Sequence, residues 1–207
     1  MPPLQIVPLK LVPRSEPADD GELIAACIGG DKAAQRTLFR REYARVHATV
    51  FRILGSSRDV DDLVQETFIT VFRALPSFRG DARLATWIDR IAVRGVFHHL
   101  RTKKLASTVA LDAIADLDGG GRVDDQANAR DGLRRLYGAL AELTPEARTA
   151  YALYAIDGRS INEVAEMTGS TKITAKVRIW RARREIERRA AEDPVLNELL
   201  ELGRDPE

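Results

Sequence analysis

Apolar residues recur every three or four positions through most of the first hundred residues, which is the period of an amphipathic α-helix. A broad stripe from Leu63 to Leu75 has two adjacent apolar residues per turn, as expected for the central helix of a bundle. The most regular stripe consists of Phe39, Tyr43, Val46, Val50 and Leu54. No segment alternates apolar and polar residues as a half-buried β-strand does, so the pattern predicts an all-α fold.

Turn and capping residues divide this region into four helices. Asp19 or Asp20 can cap a short first helix, and Asp31 can cap a longer second helix that ends at Gly55. A loop over residues 76–81 separates the third helix from the fourth. The result is a helical domain over residues 19–104.

The helical period disappears over residues 105–131. This segment contains three consecutive glycines and has six acidic residues against two basic ones, a net charge of −4. It is predicted to be a flexible acidic linker. Residues 1–18 contain five prolines and are predicted to be a disordered N-terminal extension.

Helicity resumes in a second domain over residues 132–190. Thr144 followed by Pro145 starts a helix that ends at Asp157-Gly158. Two short helices then flank Gly169, which predicts a helix-turn-helix. Residues 191–207 form a C-terminal tail that contains a short amphipathic helix.

The second helix of this pair is strongly basic, although the whole chain has a net charge of only +1. Residues 170–190 carry eight basic and two acidic side chains, a net charge of +6. Such a helix fits the major groove of DNA, where Lys and Arg neutralise phosphates and contact base edges. The segregation of charge predicts separate protein-facing and nucleic-acid-facing surfaces.

Several kinds of site are excluded by the composition. Cys27 is the only cysteine, so neither an internal disulfide nor a cysteine zinc site is possible, and the three histidines lack metal-ligand spacing. No phosphate-binding glycine loop or set of nucleophile and base is present, so we expect no enzymatic activity, no metal and no cofactor. No apolar run approaches the roughly 18 residues of a membrane span. We therefore expect a cytoplasmic protein without membrane contact of its own.

Two segments together resemble the extracytoplasmic-function (ECF) sigma factors, the minimal initiation factors of the sigma-70 family. The first is DVDDLVQETFITVFRALPSFRGDARLATWIDRIA at residues 59–92. The second lies at residues 143–184, beginning LTPEARTAYALYAIDGRSINEVAEMTG and ending TAKVRIWRARR. The resemblance covers roughly residues 22–104 and 130–190. It implies a sigma-2 helical bundle and a sigma-4 helix-turn-helix joined by the linker, in a protein that directs transcription initiation without catalysing a reaction.

The resemblance also implies partners. These are the clamp coiled coil and the flap of the large subunits of bacterial core RNA polymerase, promoter DNA and an anti-sigma factor. The residues implied to bind core polymerase are Asp61, Asp62, Gln65 and Glu66. On composition alone, the same four residues would be read as a solvated helix face.

The loop at residues 78–83 and the helix after it resemble the element that melts the minus-10 promoter region and holds it single-stranded. The residues implied to contact this strand are Phe78, Arg79, Arg90, Arg94, His98 and Arg101. Trp87 is more often a core residue at such spacing than a base contact. Arg94 and His98 stand where the family commonly has Asn and Asp, which predicts a different minus-10 specificity, or a contact of Arg94 with phosphate alone.

Two registers compete for the buried face of the basic helix. One buries Ile173, Val177 and Trp180, whereas the other buries Ala175, Ile179, Ala182 and Ile186. The second is favoured by its four-three-four periodicity and by the family's recognition helix. It turns Trp180 toward thymine methyl groups or the sugar-phosphate wall. The residues predicted to bind the duplex minus-35 element are Lys172, Thr174, Lys176, Val177, Arg178, Trp180, Arg181 and Arg184.

Two other functions account for part of the sequence. A helix-turn-helix transcriptional regulator that is not a sigma subunit would explain residues 160–190, but not the two segments within residues 59–92. An anti-sigma or adaptor bundle would have no use for a helix of charge +6. Association with core polymerase and promoter binding distinguish these alternatives.

Overall fold

The computed structural model describes residues 20–106 and 123–202, and these residues form helices joined by short turns. The segment predicted to be disordered, residues 1–18, lies outside the described residues. The helices are α1 (Asp20–Ile28), α2 (Lys32–Leu54), α3 (Val60–Ala74), α4 (Leu84–Ala106), α5 (Val123–Glu142), α6 (Pro145–Tyr151), α7 (Ile161–Thr168), α8 (Lys172–Ala190) and α9 (Pro194–Leu202). No strand occurs in the described part of the chain, so the all-α fold is confirmed.

Helices extend into both ends of residues 105–131, the segment predicted to be a linker. Helix α4 continues to Ala106, and α5 begins at Val123. Neither glycine nor proline occurs between Gly121 and Gly132, so the composition of this stretch permits helix. The acidic charge of the segment does not distinguish a linker from the first turns of a helix, where carboxylates are favourable.

The predicted helix boundaries agree with the caps that the structure contains. The Asp31 carboxylate accepts hydrogen bonds from the backbone N–H groups of Ala33 and Ala34, and α2 ends at Gly55 with φ 67°. Thr144 caps α6, with Pro145 at its first position. The last turn before Asp157 is a π-helix over Ala152–Ile156.

Helices α1–α4 form the first domain. Helices α2, α3 and α4 pack against one another in pairs, and α1 packs against α2. The centre of this core consists of aliphatic side chains without solvent exposure, among them Leu38, Val46, Val50, Ile53, Val64, Val71, Ile88 and Val96. Burial of each such side chain contributes about 1.5–3 kcal/mol to folding.

Helices α5–α9 form the second domain. Helix α8 packs on α5, α6 and α7, with Leu136, Leu140 and Ile186 fully buried. Helix α9 lies in the region predicted to be a C-terminal tail. It packs along α5 and α8 through Leu196, Leu199 and Leu200, so this part of the tail belongs to the domain core.

The two domains are in direct contact. The C-terminal half of α2 meets the π-turn after α6, while α4 lies against α6 and α7. The contact is rich in buried charge, including Arg52 at 7% and Asp157 at 2% exposure. The hydrophobic pattern gives no sign of the buried ion pairs in this interface, because they are formed by arginines and aspartates. Within the described ranges, no helix is both long and apolar enough to cross a membrane.

Candidate nucleic-acid and polymerase interfaces

Helices α7 and α8 form a well-capped helix-turn-helix. Ser160 and Glu163 form a reciprocal capping box at the start of α7, which ends at Gly169 with φ 61°. The Thr171 hydroxyl accepts a hydrogen bond from the Thr174 backbone N–H at 3.1 Å and caps α8. The turn between the helices is therefore fixed at both ends, which sets the direction of α8.

The preferred register of α8 is confirmed. Its buried residues are Ala175, Ile179, Ala182, Ile186 and Ala190. The larger apolar residues of the rival register point outward instead, with Ile173 76%, Val177 40% and Trp180 54% exposed. The small alanines let α8 lie close to α6 and α7, which explains why the less hydrophobic register is the buried one.

The basic residues of α8 differ between its two halves. Within the described part of the chain, Lys172, Lys176 and Arg181 are exposed and have no carboxylate partner within ion-pair distance. Near the C-terminus, Arg188 and Arg189 hydrogen-bond to Glu185 and hold the pKa of its carboxyl at about 2. The positive charge available to an external anion therefore lies mainly in the part of the helix before Glu185.

Most of the residues predicted to bind the minus-35 element share the outward face of α8. These are Lys172, Lys176, Val177, Trp180, Arg181 and Arg184. The Arg184 guanidinium lies 5.2 Å from the centre of the Trp180 ring, which holds that indole against the helix. Thr174 and Arg178 are half-buried at the edge of this face. The Thr174 hydroxyl is hydrogen-bonded to the Thr171 hydroxyl, and Arg178 lines a cavity at the domain interface.

The residues predicted to bind the minus-10 strand differ in their exposure to solvent. Arg79, Arg94, His98 and Arg101 are exposed. Phe78 is half-buried, with its ring centroid 5.3 Å from that of Trp87. Trp87 is therefore held between the protein core and Phe78, in agreement with its expected packing role.

Arg90 is less available to DNA than the other minus-10 candidates on α4, because its guanidinium forms an ion pair with Glu166 of α7. Arg94 lies between two concave regions. One is the interdomain cavity of about 150 Å³, which it shares with Phe97, Met167 and Arg178. The other is an open groove of about 460 Å³ between α3 and α4.

The residues predicted to bind polymerase lie on the exposed side of α3. Asp61 accepts a hydrogen bond from the Tyr43 hydroxyl at 3.3 Å, whereas the other three side chains extend into solvent. Ile69 lies on the same face, one to two turns further along, and is 57% exposed. Sequence reasoning missed Ile69. The available signal was that Ile69, although apolar, lies on the opposite side of α3 from the buried stripe.

The comparisons with known proteins identify both domains. Residues 38–105 match Sigma-70 region 2, and residues 133–186 match Sigma-70 region 4. The ECF RNA polymerase sigma factor SigM of Mycobacterium tuberculosis is 32% identical over 82% of this chain and 83% of its own length. The ECF RNA polymerase sigma-E factor of Escherichia coli is 34% identical over 84% of this chain and 95% of its own.

Solved structures agree with this assignment. The structure of CnrH in complex with the cytosolic domain of CnrY covers 84% of this chain and 98% of CnrH, with TM-score 0.56 and 27% identity. The Bartonella quintana sigma factor RpoE, solved with the anti-sigma factor NepR, has the same fold, with TM-score 0.57 and 21% identity over 82% of this chain and 98% of RpoE. With both sigma-70 regions present in order, and with relatives that match over most of their length, the chain is a member of the ECF sigma factors of RNA polymerase.

Proposed function

We propose that this sigma factor uses α8 to bind the duplex minus-35 element, α4 and the loop before it to bind the melted minus-10 strand, and the exposed face of α3 to bind core polymerase. The chain would supply positioning and strand capture, while the polymerase supplies the catalysis. Together these three contacts are sufficient to direct polymerase to a promoter and initiate transcription.

One observation carries the proposal most strongly. Helix α8 buries its small apolar residues and presents unpaired cations together with Trp180 on one exposed face. A polyanion with an apolar feature between its phosphates matches that face, and the major groove of DNA has both properties. A protein partner offering the same charge density would have to be unusually acidic.

Run-off transcription with bacterial core polymerase on fragmented genomic DNA tests the function directly. The full-length chain should produce discrete transcripts that core polymerase alone does not. The double variant Lys176→Ala plus Arg181→Ala should lose most of this signal, since each lost phosphate contact weakens binding and reduces its salt dependence. Absence of any initiated transcript with the natural chain would refute the proposal.

Arg188→Ala is the matched control for the charge change. It removes an exposed arginine from the same helix, but one whose charge is already neutralised by Glu185. We expect it to reduce transcription by less than twofold. An equal loss in the control and in the double variant would show that helix stability, not DNA contact, is being measured.

The polymerase contact can be tested separately at α3. Ile69 lies among Asp62, Gln65 and Glu66 on the exposed face, an arrangement of an apolar anchor within a polar rim that is typical of protein interfaces. Ile69→Ala should weaken association with core polymerase about tenfold while leaving the affinity for minus-35 duplex DNA unchanged. Ile28→Ala changes an isoleucine of similar exposure on α1 and should leave both unchanged.

A protein regulator is also part of the proposal. The solved sigma factor RpoE is bound to the anti-sigma factor NepR, which supports an anti-sigma factor as a partner of this chain. A regulator that acts in this way should suppress run-off transcription when added before core polymerase and should have less effect when added afterwards.

A further inference from the structure

A line of exposed apolar side chains runs along the centre of the outward face of α8. We call Ile173, Val177 and Trp180 the apolar stripe. At about 100° per residue the three lie within about 60° of one another around the helix axis. Large apolar side chains grouped in this way on a surface indicate a contact site.

The surroundings of the apolar stripe determine what it can contact. Lys172 and Lys176 flank it on one side and Arg181 on the other, and these cations have no carboxylate partner in the described structure. An occupant must therefore be polyanionic and must have an apolar feature between its charges. In the major groove that feature is the C5-methyl group of thymine.

We propose that the apolar stripe selects thymines in the minus-35 element, with Ile173 as a specificity residue. This proposal rests on the proposed minus-35 role of α8. Seven residues of helix rise about 10.5 Å, equal to about three base-pair steps of about 3.4 Å. The thymines are thus expected within a window of three or four base pairs.

Deoxyuridine provides the test, since it differs from thymidine only by lacking the methyl group. A minus-35 duplex is first selected with the full chain from a random thymidine library, and its affinity is compared with that of the same sequence made with deoxyuridine. We expect about fourfold weaker binding per contacted methyl group, from about 0.8 kcal/mol per buried carbon.

Two variants assign the effect to the stripe. Ile173→Ala should reduce the preference for thymidine over deoxyuridine, and it should not perturb folding because the side chain is 76% exposed. Lys172→Ala should weaken both duplexes equally. Equal binding of the two duplexes by the natural chain would overturn the methyl-reading proposal. Run-off transcription would still test the proposed function independently.

A second inference comes from the domain interface. The C-terminus of α2 is capped by the second domain: the Arg148 guanidinium donates to the carbonyl oxygens of Ile53 at 3.2 Å and Leu54 at 2.6 Å. The Tyr137 hydroxyl donates to the Arg52 carbonyl at 2.8 Å. These contacts satisfy the backbone carbonyls at the end of α2, which have no partner within the helix. If the domains separated, these carbonyls would be exposed to water.

Buried ion pairs extend the same contact. Asp157 pairs with both Arg52 and Arg159, and Asp89 pairs with both Arg45 and Arg159. We call the whole set of cross-domain contacts the interdomain seam. Its members in the first domain are Arg52, Ile53, Leu54, Asp89 and Arg90, and those in the second are Tyr137, Arg148, Asp157, Arg159 and Glu166.

The closed arrangement is incompatible with simultaneous contact to both promoter elements. Arg94 of α4 and Arg178 of α8 line the same cavity of about 150 Å³. Elements centred 35 and 10 base pairs upstream of a start site are about 25 base pairs apart, or about 85 Å along B-form DNA. Furthermore, the Arg90 guanidinium is ion-paired with Glu166 and is not free to bind DNA.

We infer that the interdomain seam is an autoinhibitory latch, which keeps the free chain from using α4 and α8 on one promoter until the seam opens. This inference rests on the proposed roles of the two helices. The outward face of α8 stays accessible in the closed form. Free chain should therefore bind a minus-35 duplex but gain nothing from an adjoining minus-10 strand.

Forked promoter DNA, duplex at minus-35 and single-stranded at minus-10, tests this. The probe is taken from a promoter found by run-off transcription. Natural chain should bind the fork and the minus-35 duplex with affinities within twofold, whereas Asp157→Asn should bind the fork at least tenfold more tightly than the duplex. Glu166→Gln, at an exposed position, should show a smaller gain and does not depend on changing a buried charge.

Asp131→Asn is the matched control. It alters an Asp–Arg pair within the second domain and should leave both affinities unchanged. Small-angle scattering of the natural chain should give a radius of gyration near the compact value, which is about 17 Å for a chain of this length. An expanded natural chain, or a natural chain that already prefers the fork, would overturn the latch.

Discussion

Gly55 is the residue at which the contact between the domains is tightest. It ends α2 in the left-handed conformation, and a Cβ at this position would lie 2.0 Å from Cδ1 of Tyr137. The absent side chain therefore serves two purposes: it permits the positive φ, and it admits the tyrosine ring to the end of the helix. Either demand alone favours glycine.

Replacement of Gly55 by alanine should be more destabilising than the same change at Gly158. Gly158 has the same φ of 67°, but a Cβ there would meet nothing within 4 Å. We expect about 1 kcal/mol for Gly158→Ala from backbone strain, and about 1–3 kcal/mol more for Gly55→Ala from overpacking. Urea unfolding measures both, and equal losses would contradict the close approach of Tyr137.

Asp193 should titrate below the ordinary range of an aspartate. The hydrogen bond from Arg135 at 2.9 Å, supported by backbone N–H groups of Val195 and Leu196, lowers the pKa of its carboxyl. Because the folded pKa is the lower one, this stabilisation is present at neutral pH and is lost as the pH falls below about 4. Carbon-13 NMR should show the pKa rising in Arg135→Gln. It should be unchanged in Arg134→Gln, which leaves the Asp193 partner in place.

At the scale of helices, α9 is a structural element rather than an appendage. Its leucines are buried against α5, where a Cβ on Gly132 would lie only 3.1 Å from that of Leu199. Helix α5 in turn supports α8. The position of the proposed recognition helix therefore depends on a segment that follows it in the sequence.

Truncation of one α9 leucine tests that dependence. Leu199→Ala should destabilise the second domain by about 2–5 kcal/mol, the usual range for a buried leucine. Glu198→Ala, on the exposed side of the same helix, should change stability by less than about 0.5 kcal/mol. Thermal unfolding followed by circular dichroism distinguishes them, and similar melting temperatures would mean that α9 is not docked in solution.

The hydrophobic cores of the two domains are joined by an interface of buried ion pairs. Because of this interface, the two domains should unfold cooperatively. The natural chain is expected to unfold in a single thermal transition. Asp157→Asn should separate that transition into two, because it leaves Arg52 and Arg159 without a shared buried carboxylate. Differential scanning calorimetry makes the measurement, with Glu198→Gln as a surface control. Two transitions in the natural chain would argue against a stable interface.

The sequence predicted much of this architecture because helical periodicity and caps are local signals. Asp31, Thr144 and Gly169 each lie at the helix end where the pattern placed them. Periodicity, together with the likeness to the family's recognition helix, also predicted the register of α8 against simple hydrophobicity. Long-range polar pairing has no such period, so Arg52–Asp157, 105 residues apart in sequence, was not predictable. The partial burial of Arg90 follows from that same interface.

The ends of α4 and α5 set a length limit for the opened molecule. Sixteen residues separate Ala106 from Val123, and a chain of that length spans at most about 55 Å. The start of α5 is thus confined to a sphere of that radius around the end of α4, which corresponds to an effective concentration in the millimolar range. Once either domain has found its DNA element, the other therefore searches only a short stretch of neighbouring DNA, and a promoter with much wider spacing would lie beyond its reach.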